Sequence, residues 1–482
     1  MSRRSMPAQW GRVLLLFILT LTGLAAFAPQ ASAATCVFDP GTRHATAAIG
    51  SGELELRLRA DNGTLEANGV SCGSLTEIET VTVNVGLDST RPVVFDLSGG
   101  PLGPGFTNEN NGSSEVEFTI ANQNPFGSTR VDGSVGNDSV TIGQESINGN
   151  IIGQLNLNAG AESATPDVDV NFPVFPFDVV VDGKGGNDTI SANGVGSGLS
   201  APYSGNTKLA GGPGSNSLTG GSGSDQLTAF AEVSSTGADT FIGGDSFDQV
   251  IIEPEAPGIT STYSLDGLAN DGVNCPGPSC EGDNVEAAME AIRGSSSAET
   301  LIGNAKGDVL MGGGGADVLK GLGGFDNLQC AGGKAVGGPG GDSLLASVGC
   351  ASVAGGPGRD EVAFSDASQG VTVTLDGLKN DGVPGSFVNV RSDIENVYGT
   401  AYRDIIVGDD QPNRLQGGAG RDDLSGAGGN DRLEGHDGSD ALFGGPGDDI
   451  LLGGKGDDSL NGGEGTDDCR QGKGTGAEVS CE

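Results

Sequence analysis

Aspartate recurs at a fixed phase along the last quarter of this chain. From Gly399 the sequence divides into GTAYRDIIV, GDDQPNRLQ, GGAGRDDLS, GAGGNDRLE, GHDGSDALF, GGPGDDILL, GGKGDDSLN and GGEGTDDCR. Position one is glycine in every block. Position six is Asp404, Asp422, Asp431, Asp440, Asp449, Asp458 and Asp467, with Asn413 the exception. Position eight is apolar throughout: Ile406, Leu415, Leu424, Leu433, Leu442, Leu451, Leu460 and finally Cys469. A second array starts at Gly294 and places Glu299, Asp308, Asp317 and Asp326 at position six. After a shift of register, Asp342 and Asp360 hold the same place in GGPGGDSLL and GGPGRDEVA. Carboxylates at regular spacing, embedded in turn residues, supply hard oxygen donors. The cation they suit is Ca²⁺, which takes about 6–8 oxygen ligands, rather than Mg²⁺, which demands a tight octahedron and keeps its water. The alternative is a solvated acidic edge; low-complexity disorder is set aside, because it would not hold one phase over so many blocks.

Each block must be a turn followed by a short strand. The glycines permit positive φ, which other residues resist, and the apolar residue at position eight points inward. One block makes half a coil and two blocks close it, so successive coils stack as parallel strands about 4.8 Å apart. Aspartates eighteen residues apart then lie above one another. Asp422, Asp440 and Asp458 form one column, and Asp431, Asp449 and Asp467 the other. A column of like charges is destabilising, and several Ca²⁺ ions between coils would reverse that. Ion binding then becomes folding free energy, because a single inner row of Leu cannot offset the ordering of so much glycine.

These blocks resemble the RTX, or hemolysin-type, calcium-binding nonapeptide repeat. The resemblance is strong over 294–363 and 399–470, with isolated copies between about 133 and 251. It implies a parallel β-roll in which the position-six aspartates ligate Ca²⁺: Asp308, Asp317, Asp326, Asp342, Asp360, Asp404, Asp422, Asp431, Asp440, Asp449, Asp458 and Asp467. Glu299 and Asn413 depart from the pattern, so full sites are not expected at their turns.

Each array is introduced by a duplicated module. Leu265-Asp266-Gly267-Leu268 with Asn270-Asp271-Gly272 recurs as Leu375-Asp376-Gly377-Leu378 with Asn380-Asp381-Gly382. Glu290 and Glu395 each stand four residues before the first array glycine. The module aspartates are read first as Asn-Asp-Gly turns, and second as additional ligands. Upstream, Glu53 to Leu58 and Val81 to Val85 alternate like half-buried strands. The segment Val285 to Ile292 is the one short helical candidate.

The expected fold is therefore all-β, an elongated parallel β-roll or β-solenoid with a strand-rich N-terminal region. The expected divisions are a signal segment 1–33, a β-rich region 34–260 with scattered copies, a first module with repeats 261–365, and a second module with the C-terminal roll and cap 366–482. Arg3, Arg4 and Arg12, the apolar run Val13 to Phe27 and the small residues Ala31-Ser32-Ala33 fit a cleaved secretory signal. The expected location is outside the cell. The eight cysteines form sequence-local couples, Cys36 with Cys72, Cys275 with Cys280, Cys330 with Cys350 and Cys469 with Cys481, and an oxidising compartment favours these four bonds.

The balance of 24 Lys+Arg against 64 Asp+Glu excludes nucleic acid and anionic membrane surfaces as partners. With two histidines far apart in sequence and no HExxH, a histidine-based triad has no support. The reading is a calcium-binding, structural or adhesive protein without catalysis, with cell-surface or matrix polymers as candidate partners. The competing reading is a β-helical lyase or glycosidase seated in 34–260, with the roll as its stabiliser.

Overall fold

The computed structural model describes residues 34–481 apart from 50–54, 63, 76, 79, 85–91, 100–116, 122–127, 135–137, 148–149, 158–169, 174–177, 195–200, 230–236, 254–259, 274–281 and 475. The signal segment and the Cys275 and Cys280 couple lie outside the described residues. The other three couples are disulfides: Cys36–Cys72, Cys330–Cys350 and Cys469–Cys481.

Among the described residues there is no α-helix. The helical candidate at Val285 to Ile292 is instead two short strands, Asn284–Val285 and Ala291–Arg293, on either side of a turn in which Met289 N–H donates to the Glu286 carbonyl. Parallel pairing with the coils on either side overrides the local apolar spacing: Phe241 lies beside Val285, and Ile292 beside Leu310.

One parallel sheet runs the length of the molecule, from Leu56–Asp61 to Asp468–Lys473. Its inward row is continuous. Val131, Val181, Leu209, Leu227, Val250, Ile292, Leu310, Leu328, Leu344, Val362, Val397, Leu415, Leu433 and Leu451 stack in sequence, each at most 1 % exposed. In the C-terminal roll the step between stacked residues is eighteen, as Leu415 beside Leu433 and Leu433 beside Leu451 show. Elsewhere the coil stretches or tightens while the row is kept. Leu328 lies beside Leu344, Leu227 beside Val250, Val181 beside Leu209, and Val131 beside Val181. The upstream copies, scattered in sequence, are coils of the same stack separated by insertions.

The facing side is three successive sheets rather than one. The first ends at Asn284–Val285, the second runs from Thr260–Ser264 to Cys350–Ala354, and the third from Thr372–Thr374 to Ala477–Val479. Both breaks fall at the duplicated modules. Each module doubles back on itself, through antiparallel pairing of Thr262 with Gly272 in one and Thr372 with Gly382 in the other.

Candidate metal centre

The position-six carboxylates are buried, as an inward-pointing turn residue must be. Asp317, Asp326, Asp342, Asp360, Asp422, Asp431, Asp440, Asp449, Asp458 and Asp467 are at most 2 % exposed, and so are Asp308 and Asp404. Apart from Asp308, each carboxylate is fixed by a backbone N–H of the coil before it. Asp422 N–H donates to Asp440 Oδ1 at 2.9 Å, and Asp440 N–H to Asp458 Oδ1 at 2.9 Å. The same bonds join Asp431 to Asp449 and Asp449 to Asp467. The two columns expected from the sequence are therefore present, headed by Asp404 and Asn413 respectively. In the first array Asp308, Asp326, Asp342 and Asp360 form one ladder, with steps of eighteen, sixteen and eighteen residues, and Glu395 closes it. Asp317 lies on the other side and accepts from Glu299 N–H.

The second carboxylate oxygen divides the repeats into two kinds. In ten of them Oδ2 is buried and without a hydrogen-bond partner: Asp317, Asp326, Asp342, Asp360, Asp422, Asp431, Asp440, Asp449, Asp458 and Asp467. A buried carboxylate oxygen with no donor is expensive. Burial accordingly pushes Asp326, Asp422 and Asp431 up to about 7 and Asp360 up to about 6, with neighbouring carboxylates adding to the shift. In Asp308 and Asp404, by contrast, Oδ2 accepts the backbone N–H of position two, from Asn304 and Thr400, at 2.6 Å each. Asn413 is closed in the same way by Asp409 N–H.

Glycine at position one is required by this oxygen. A Cβ at Gly426 would strike Asp431 Oδ2 and the Gly444 carbonyl of the next coil together, and one at Gly435 would strike Asp440 Oδ2 and the Gly453 carbonyl. The free carboxylate oxygen and a carbonyl oxygen thus share one notch between coils. Among the described residues no three His, Cys, Asp or Glu side chains converge on one point. The donors available at each gap are instead one or two carboxylates and backbone carbonyls, all hard oxygens. That set fits Ca²⁺ and is a poor fit to zinc or copper, which favour nitrogen and sulfur.

The module aspartates are not of this kind. Asp381 Oδ1 accepts from Thr374 N–H at 2.7 Å and its hydroxyl at 3.2 Å, and Oδ2 accepts from Val390 N–H at 2.8 Å. Asp271 makes the matching bonds to Ser264 and Val285. Exposed Asp266 and Asp376 each cap their own turn through Leu268 and Leu378 N–H. Both modules therefore use aspartate as a backbone clip, the first of the two readings given above.

The RTX calcium-binding nonapeptide repeat family matches the chain in four copies, at residues 203–229, 293–328, 398–433 and 434–469. The chain therefore carries the RTX calcium-binding nonapeptide repeat on an all-β fold of stacked parallel coils of the β-roll type. No curated protein is significantly similar to it.

Proposed function

We propose that this protein is exported and folds outside the cell around several calcium ions, serving a structural or adhesive role without catalysis. Ligands come from the position-six aspartates whose Oδ2 has no protein partner, together with carbonyls of the adjoining coils. The observation that carries this reading is the run of ten such oxygens in the two arrays, each buried and each set against a position-one glycine. Left as they are, they oppose the fold, and a divalent ion converts the same oxygens into its support. The oxidising exterior, where free calcium is plentiful, accommodates both the disulfides and sites of roughly 10⁻⁴–10⁻³ M affinity.

A calcium titration of the chain without residues 1–33, followed by circular dichroism and thermal melting, tests this. Millimolar Ca²⁺ is expected to raise the β signal and the melting temperature, and equal Mg²⁺ to do much less. A chain already fully folded in chelator, with an unchanged melting temperature in calcium, would refute it.

A further inference from the structure

The division between open and closed carboxylates follows the backbone at position two without exception among the aspartate repeats of the two arrays. Every open aspartate has positive φ there: Gly313, Leu322, Gly338, Gly356, Gly418, Ala427, His436, Gly445, Gly454 and Gly463, between 75° and 118°. Residue type does not decide it, since Leu322, Ala427 and His436 are among them. In this state position two is drawn into the stack. His436 lies beside both Gly418 and Gly454, and Gly338 N–H donates to the Gly355 carbonyl of the next coil. In the closed repeats Asn304, Thr400 and Asp409 lack positive φ, and their N–H groups turn back onto their own position-six side chain.

The same rule sorts the upstream coils, against what repeat similarity suggests. Asp225 lies inside a matched copy, yet both its oxygens are engaged. Oδ1 accepts from Thr207 N–H and its hydroxyl, and Oδ2 from Gly221 N–H at 2.6 Å, with Gly221 outside positive φ. Asp188 and Asp248 lie outside the matched copies, yet each has a buried Oδ2 without a partner, and position two is Lys184 at 73° and Gly244 at 133°. The notch at position one is common to both kinds: a Cβ at Gly183 would strike Asp188 Oδ2 and the Gly211 carbonyl, and one at Gly220 would strike Asp225 Oδ2 and the Gly243 carbonyl, so what separates them is whether position two donates to that oxygen.

We infer that positive φ at position two is the switch that makes a coil competent for calcium, so that Asp188 and Asp248 are further calcium ligands while Asp225, Asp308 and Asp404 are not. A closed carboxylate already holds the donors an ion would replace. The closed coils therefore fold without metal. This rests on the calcium reading given above and specifies which carboxylates it uses.

Calcium bound per chain, measured by equilibrium dialysis against ⁴⁵Ca²⁺ at saturation, decides it. Asp188→Asn and Asp248→Asn are each expected to lower the count by about one ion, and Asp225→Asn to leave it unchanged. Asp404→Asn, at a closed coil of the C-terminal roll, is likewise expected to leave it unchanged, whereas Asp440→Asn, at an open one, is expected to lower it by about one. Circular dichroism in calcium identifies any variant that has not folded, and the comparison of Asp404→Asn with Asp440→Asn serves as the reading should Asp225→Asn be such a case. A loss in Asp225→Asn or Asp404→Asn equal to that in Asp188→Asn would overturn the switch. Failure of the unaltered chain to bind calcium at all would instead overturn the underlying reading.

Discussion

Leu322, Ala427 and His436 carry side chains where the backbone has positive φ. The left-handed region costs a residue with a Cβ roughly 1–2 kcal/mol, so these positions hold strain that the ladder contacts of the next coil must offset. Ala427 is the simplest case, having only a methyl group. Replacing it by glycine removes the strain but adds freedom to the unfolded chain, worth roughly 0.5–1 kcal/mol. Ala427→Gly is therefore expected to stabilise the calcium-loaded roll by up to about 1 kcal/mol. Gly445→Ala, one coil further along the same column, is expected to destabilise it, because its Cβ would meet the Ala427 carbonyl. Urea midpoints in saturating calcium measure both, and shifts of the same sign would contradict the account. The identity of position two was visible in the sequence, but its conformation was not. Gly221 is closed and Leu322 open, which reverses what glycine's tolerance would suggest, since stacking against the next coil and not residue type sets φ.

At the scale of elements, the coil period and the inward row were legible wherever the step is eighteen, because position eight then falls on one face by arithmetic alone. The upstream coils were legible only as separate copies. Between them the chain inserts segments of unequal length, such as the long excursion from Val131 to Val181, so no fixed phase links Asp138, Asp188 and Asp225. Their stacking depends on pairing between strands far apart in sequence. The modules were legible as a duplication and as turns, but not as the places where the facing sheet breaks. Asp381 ties Thr374 on one segment to Val390 on the other, and Asp271 does the same for Ser264 and Val285. Asp381→Ala leaves buried N–H donors unmet, which costs about 1–3 kcal/mol each. The expected result is a lower melting temperature both in calcium and in chelator, with the number of ions bound unchanged. A loss of bound calcium in this variant would make Asp381 a ligand rather than a clip.

The whole molecule couples its acidity to its metal. A net charge of −40 makes the folded chain repel itself, and buried carboxylates along the arrays add to this. Burial raises Asp326, Asp422 and Asp431 to about 7, whereas an unfolded aspartate titrates near about 3.9. A carboxyl with the higher value in the fold binds its proton more tightly there. Its contribution to stability is complete below the unfolded value and is lost as pH rises through the folded one. The calcium-free molecule should therefore be most stable near about pH 4 and weaken toward about pH 7, the reverse of ordinary acid denaturation. Calcium inverts this trend, because the ion needs the deprotonated carboxylate and competes with the proton for the same oxygen. Thermal melts across that range, in chelator and in millimolar calcium, are expected to give curves of opposite slope that approach each other in acid, where protons displace the metal. A calcium-free protein more stable at neutral pH than in acid would show that the unpartnered oxygens are not what limits the empty fold.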